Sequence, residues 1–200
     1  MHFIYYTLFI FIFCCSRLIP LYSDPLPIDK VQHLIDRSTI TRIQKPLTVR
    51  TDKETLEYFM EHVEELTKQG GDFKRNELIL EIKEDGQYGI RMPSKRVVGE
   101  FQLVKRQPQK VIYMGHGNAT TFFSFSGSIV LEVHYTTQKD EIGPYEDIKT
   151  AVHLKFDNAF LAILAKAATP ILIPKLDKLI TKFSMKTKSI IETAYANKKN

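Results

Sequence analysis

The carboxyl-terminal segment, residues 158–200, constrains the fold of this 200-residue chain more than any other feature. An apolar run, AFLAILAKAAT, ends at Thr169-Pro170, and this proline suits the first turn of a new helix. Apolar residues then recur at three- and four-residue spacings, which places them on one helical face: Leu172, Leu176, Leu179, Ile180, Phe183, Ile190, Ile191 and Ala194. A long amphipathic helix needs an apolar surface to cover, so we expect the preceding chain to supply one.

A second helix is predicted over residues 51–69. Thr51 and Glu54 have the spacing of a capping box, in which each side chain satisfies a backbone donor. Apolar residues follow at helical spacing. We therefore predict two main helices, 51–69 and 170–195, and little helix over residues 78–157.

Between these helices the apolar period changes from 3.6 to 2, which is typical of strands. Residues 39–50 are rich in β-branched side chains, and Pro46 favours an edge or a bulge there. Consecutive runs joined by turns predict an antiparallel sheet with one buried face. The alternating runs are residues 77–84, 87–92, 97–105, 110–114, 120–135 and 148–157.

The apolar residues 3–15, FIYYTLFIFIFCC, predict an export leader. The run is shorter than the roughly 20 residues that span a bilayer, and it fits the apolar region of a secretory signal. We therefore expect a leader over residues 1–23, a linker with a short helix over 24–38, and one domain over 39–200.

Cys14 and Cys15 leave a second interpretation of the leader open. A cysteine at the end of such a run is acylated in lipoprotein signals, which would anchor the chain to a membrane, and an uncleaved anchor is a third alternative. The chain has no other cysteine, so removal of the leader would leave no thiol chemistry.

The composition is that of a globular protein, with 44% hydrophobic and 26% charged residues. The formal net charge of +5 is mild, and we interpret it as unrelated to function. No nucleic-acid partner is therefore expected.

The order of elements is strand, helix, antiparallel meander and one long final helix, which begins within FDNAFLAILAKAATPILIPKLDKLITKFSMKTKSIIETA. This pattern resembles the START-like helix-grip superfamily, which includes lipid-transfer proteins and polyketide cyclase/dehydrase-like families. The resemblance covers about residues 39–196 and rests on pattern, not on an invariant motif. It implies an α+β fold in which a curved antiparallel sheet wraps around the long C-terminal helix and leaves an elongated cavity. Members mostly bind lipids, sterols, polyketides or other apolar small molecules.

The candidate site consists of the large side chains that alternation and helical spacing place toward that cavity. If the hairpin at Pro108 pairs Leu103 with Ile112, these two residues share a face with Phe101 and Met114. The alternative is that all of them simply fill a core. The Tyr135 hydroxyl would need a partner and could orient a polar ligand head. The candidate lining residues are Phe101, Leu103, Ile112, Met114, Leu131, Val133, Tyr135, Leu154, Phe156, Leu176, Ile180 and Phe183.

No catalytic or cofactor motif is present in the sequence, so we expect no cofactor. His134 and His153 alternate opposite to the apolar positions and could meet Glu132 on the outer surface, but two histidines without a third ligand make a weak metal site. The aromatic run at residues 121–125 is either a buried strand or an apolar lip that touches a membrane.

The sequence thus predicts an exported binding or carrier protein for a lipid or other apolar small molecule, held between sheet and C-terminal helix. Two alternatives remain open: a cyclase/dehydratase-type enzyme that uses the same cavity, and a structural or membrane-surface protein with a filled core. Convergent polar side chains in the cavity would favour the enzyme.

Overall fold

The computed structural model describes residues 28–69, 78–83, 86–120, 124–167 and 169–199. In this part of the chain eight strands form one antiparallel sheet, in the order β1-β8-β7-β6-β5-β4-β3, and β2 also pairs with β8. The strands are β1 (Ile40–Ile43), β2 (Leu47–Val49), β3 (Ile79–Ile82), β4 (Tyr88–Met92), β5 (Val97–Gln107), β6 (Lys110–Thr120), β7 (Ser124–Lys139) and β8 (Pro144–Phe156).

The predicted order of helical and strand segments along the chain is confirmed. Among the described residues between β3 and β8, only a 3-10 turn at Pro93–Lys95 interrupts the strands. The predicted leader lies outside the described residues. The helices are α1 (Ile28–Asp36), α2 (Lys53–Glu61), α3 (Val63–Gln69), α4 (Ala159–Ala167) and α5 (Thr169–Lys199).

The helix predicted over residues 51–69 differs from expectation in two details. It is broken into α2 and α3 at His62, whose backbone is not helical and whose N–H closes α2 on the Tyr58 carbonyl. The N-cap is Asp52 and not Thr51, because the Asp52 carboxylate accepts the Thr55 N–H at 2.8 Å.

The predicted strand over residues 39–50 is two short strands, β1 and β2, with Pro46 in the break between them. Both pair with β8, so the interruption by proline leaves them on the same edge of the sheet.

The pairing of β5 with β6 also differs from the predicted one. A two-residue turn with Gln109 at φ 61° begins the hairpin, and a β-bulge between Leu103 and Lys105 then shifts the register. Leu103 therefore lies opposite Tyr113, and not opposite Ile112.

This register assigns Ile112 and Met114 to the opposite face from Phe101 and Leu103, because directly opposed residues point the same way. The expectation that all four share a face is therefore wrong. Residues 111–114 are all apolar, so alternation could not show which of them point inward.

The outer face of the sheet is covered by α1. Val31 of α1 packs with Ile112, Met114 and Val130, and all four side chains are buried. Residues 28–36, which fall within the predicted linker, thus contribute to the same folded unit. This cover explains why β6 is apolar on both faces.

The inner face, which carries Leu103 and Tyr113, is covered by α2, α3 and α5. One part of it, which we call the packed end, is formed by Val111, Tyr113, Val133 and Tyr135, all of them buried. Their cover is apolar and comes from Phe59, Met60, Val63, Ile190 and Ile191.

The other part, which we call the glycine end, contains Gly99, Gly115, Gly117 and Gly127. Gly99, Gly117 and Gly127 are directly opposed on β5, β6 and β7. A Cβ added to Gly117 would lie 2.9 Å from the carbonyl oxygen of Val98 and 3.1 Å from the Gly99 Cα. The backbones approach more closely than side chains would allow, so the sheet bends toward its inner face here.

The bend predicts a stability difference between two glycine substitutions. Gly117→Ala should lower the free energy of unfolding by about 1–3 kcal/mol, because its methyl group overlaps the backbone of β5. Gly89→Ala, with the nearest atom 3.6 Å away, should be neutral or stabilising by up to about 1 kcal/mol. Urea midpoints of both variants measure this, and equal midpoints would show that the glycines do not determine the curvature.

Candidate functional site

The inner face at the glycine end is apolar and incompletely covered. Leu154 is half-buried there and Ile129 is 37% exposed, and Phe101 and Leu131 are half-buried at the boundary with the packed end. At the packed end, by contrast, Val111 is only 1% exposed. Glycines lie between these large side chains, so part of the inner surface has no side chain to fill the space above it.

The first half of α5 is joined to the edge of this surface at β1. Arg42 points inward because it is opposite Val152, and its guanidinium binds Asp177 of α5 through two hydrogen bonds, of 2.9 and 2.6 Å. Arg42 hydrogen bonding lowers the pKa of Asp177, and Asp177 raises the pKa of Arg42, so both groups stay charged near neutral pH. This ion pair holds the covering helix at the edge of the sheet.

The predicted helix residues of the site occupy this first half of α5. Leu176, Ile180 and Phe183 are all half-buried, whereas Ile190 and Ile191 in the second half are buried in the core. The long helix therefore has a fully packed half and a half whose apolar side is only partly covered.

The predicted strand residues are divided by the structure into three groups. Leu154 and Phe156 belong to the glycine end of the inner face, whereas Phe101, Leu103 and Leu131 lie at the boundary and pack against the cluster of the packed end. Val133 and Tyr135 belong to the packed end, and Ile112 and Met114 to the outer face. The assignment of Ile112 and Met114 to the cavity wall is wrong, for the reason of register given above.

Tyr135 is a core residue whose hydroxyl is already satisfied within the protein. It donates to the Glu57 carboxylate at 2.5 Å, and the side chain is 1% exposed. Burial, together with the neighbouring Glu57 charge, raises the pKa of Tyr135 to about 12. The structure thus gives this hydroxyl a protein partner, Glu57, where the sequence allowed for a ligand head group.

Two features of the site were not found from the sequence. Gly99, Gly117 and Gly127 are visible in the sequence, but only the pairing of three strands shows that they lie directly opposite one another. The Arg42–Asp177 pair joins residues 135 positions apart and has no local signal.

The outer face carries a polar network around Glu132 and His153, two of the three residues of the weak metal site described above. Glu132 accepts a hydrogen bond from Lys110 at 2.6 Å and lies 3.1 Å from the His153 Nε2, and the His153 Nδ1 lies 3.1 Å from the Thr41 hydroxyl. Although burial acts to raise the pKa of Glu132, its contacts with Lys110 and His153 hold it below the ordinary value. No group of three or more metal-ligating side chains occurs in the described part of the chain.

Two surface hollows lie away from the glycine end. One, of about 410 Å³, surrounds the turn between β5 and β6, and the other, of about 210 Å³, lies between α2 and the end of α5. Of the predicted lining residues, only Tyr135 borders either of them. None of the helices described is both long enough and apolar enough to cross a bilayer.

Glu146 is the most unusual ionisable group near the packed end. Its side chain is 0% exposed, and neither carboxyl oxygen makes a hydrogen bond of good geometry with the described residues. Burial raises the pKa of Glu146 and outweighs the opposing effects of Thr137 and Lys53. This carboxyl is thus more readily protonated in the folded chain than in the unfolded one.

Structural comparison finds similar chain paths in solved proteins. The Mll3558 protein of Rhizobium loti matches with a TM-score of 0.49 and 10% identity, over 74% of this chain and 97% of that one. Norcoclaurine synthase of Thalictrum flavum has a TM-score of 0.46 and 12% identity, and the match covers 90% of this chain and 97% of the synthase. The major latex-like protein of Panax ginseng has a TM-score of 0.41 and 12% identity, and the match covers 78% of this chain and 97% of the ginseng protein. No protein-family model and no curated protein matches the chain.

The class of fold follows from the strand order and register. A curved antiparallel sheet with a long C-terminal helix against its inner face is a helix-grip arrangement, of class α+β. This confirms the fold that the sequence resemblance implied. Identities this low say nothing about a shared activity.

The buried carboxyl predicts a pH-dependent stability. A raised folded-state pKa means that the stability contributed by Glu146 is fully present below its unfolded pKa of about 4.5 and is lost as the pH rises through the folded value. Glu146→Gln cannot ionise, so its free energy of unfolding relative to the native chain should increase with pH, by at most about 1.4 kcal/mol per pH unit.

Denaturant titrations between about pH 5 and pH 8 measure this difference. Exposed Glu141→Gln serves as the control and should run parallel to the native chain. Parallel curves for Glu146→Gln as well would contradict the assignment of a raised pKa.

Proposed function

We propose that this protein binds and carries an apolar small molecule, and specifically a lipid, between the glycine end of its sheet and the first half of α5. One observation carries the proposal. The inner-facing positions that the structure describes on β1, β6, β7 and β8 at this end are apolar or glycine, except for Arg42, which is bound to Asp177.

Burial of an apolar ligand there would be driven by the removal of apolar surface from water. Each Å² contributes about 25 cal/mol, and the half-buried walls at Phe101, Leu131 and Leu154 would gain burial together with the ligand. A lipid is the natural cargo for such a wall, since its acyl chain needs no hydrogen-bond partner. Exchange of a lipid cargo would bring the protein to a membrane surface.

An enzyme using the same site is less well supported. Acid–base catalysis needs positioned titratable groups within reach of the substrate. Among the described inner-facing residues at the glycine end, Arg42 is the single ionisable one on β1, β6, β7 and β8, and its charge is neutralised by Asp177.

Export is a separate part of the proposal. Its support is the apolar run at residues 3–15, with lipid attachment at Cys14 or Cys15 as the variant that would keep the protein at a membrane. Fractionation of cells that express the full-length chain tests it. Recovery of the chain in the exported or membrane fraction is expected, and an uncleaved chain that remains soluble in the cytoplasm would reject export.

A tryptophan placed in the site tests ligand binding. Ile180→Trp should reduce binding of a fluorescent fatty acid at least about tenfold, because the indole occupies the space above the glycine end, and it should leave stability nearly unchanged. In a filled core the same change would destabilise the chain by about 1–3 kcal/mol.

Met185→Trp is the matched control, since Met185 lies on the exposed side of the same helix and is 51% exposed. It should bind the probe as the native chain does. Loss of folding by Ile180→Trp, or normal folding with unchanged binding, would contradict the proposed site.

A further inference from the structure

The solvent side of the first half of α5 carries a row of lysines. Lys175, Lys178, Lys182 and Lys186 are separated by three, four and four residues, which places them on one side of the helix over about 16 Å. The first three are exposed and the fourth is half-buried. This row flanks the side on which Leu176, Ile180 and Phe183 are half-buried, about a third of a turn away around the helix.

Almost no negative charge accompanies this row. Residues 158–189 contain six lysines and one acid, Asp177, so their formal charge of +5 equals the net charge of the whole chain. Both carboxylate oxygens of Asp177 are bound to Arg42. The net positive charge of the chain therefore equals that of α4 and the first part of α5, since the charges elsewhere balance.

Exposed apolar side chains accompany the lysines of both α4 and α5. Met185 is 51% exposed between Lys182 and Lys186, and Ile163 of α4 is 66% exposed, one turn before the exposed Lys166. A helix face that combines lysines with protruding apolar side chains is typical of helices that lie on a membrane surface.

We propose that this lysine face, formed by Lys175, Lys178, Lys182, Lys186 and Met185, docks the protein on an anionic lipid surface. The proposal rests on the proposed function, because it supplies the membrane with which a lipid cargo would be exchanged. Phosphate groups would attract the lysines, and Met185 would enter the headgroup region. A nucleic acid fits this face less well, since its backbone offers no apolar layer to Met185.

Vesicle co-sedimentation of the full-length chain tests the docking face. One set of vesicles is phosphatidylcholine alone, and the other contains about a third phosphatidylglycerol. We expect the chain to prefer the anionic vesicles at low salt and to lose this preference at high salt. Each lysine near such a surface contributes roughly fivefold, so Lys175→Glu with Lys178→Glu should reduce binding to anionic vesicles at least about 25-fold.

The control is Lys139→Glu with Lys149→Glu, which makes the same change of charge at exposed lysines of β7 and β8. It should change vesicle binding only a few-fold. Equal losses for the two pairs, or no loss for the α5 pair, would overturn the proposal. Equal binding to both kinds of vesicle, or tighter binding of the native chain to duplex RNA, would also overturn it.

Fatty-acid binding measured without vesicles separates this proposal from the carrier function. The α5 lysine variants should bind the fluorescent fatty acid as the native chain does, because Lys175 and Lys178 are exposed to solvent and flank the apolar side of the helix. A native chain that docks but binds no fatty acid would contradict the carrier function alone. One that binds fatty acid but does not prefer anionic vesicles would contradict docking alone.

Discussion

Backbone lies unusually close to backbone at Gly99, Gly117 and Gly127, and this close approach determines the curvature of the sheet. With a Cβ at any of these positions, the strands could not come as close as they do. The glycines let three adjacent strands bend together toward the inner face. The bend separates an inner surface that is filled from one that is apolar but only partly covered.

The long final helix reflects this division. Its second half is part of the core through Ile190 and Ile191, whereas its first half is held at the sheet edge by the Arg42–Asp177 ion pair. A segment held by few buried contacts opens at a lower free-energy cost than a packed one. The first half of α5 can therefore open while the packed end stays folded, as entry of the proposed ligand would require.

The sequence predicted those parts of the fold that depend on local periodicity. The final helix, the six or more strands and the inward positions of Leu131, Leu154 and Ile180 all follow from spacing along one segment. The assignment of Ile112 and Met114 failed because a bulge in β5 sets the register, and because α1 makes the outer face apolar too. Nothing local distinguishes Arg42 and Asp177 from the other charged residues, so their pairing required the tertiary structure.

The proposed apolar ligand lies between the glycine end and the first half of α5. NMR of the chain with labelled isoleucine, leucine and valine methyl groups, bound to an unlabelled fatty acid, tests it most directly. We predict ligand-to-methyl nuclear Overhauser effects at Ile129, Leu131 and Ile180, and none at Val111. Contacts at Val111 but not at Ile129, or contacts confined to surface methyl groups such as those of Ile43, which is 73% exposed, would contradict the claim.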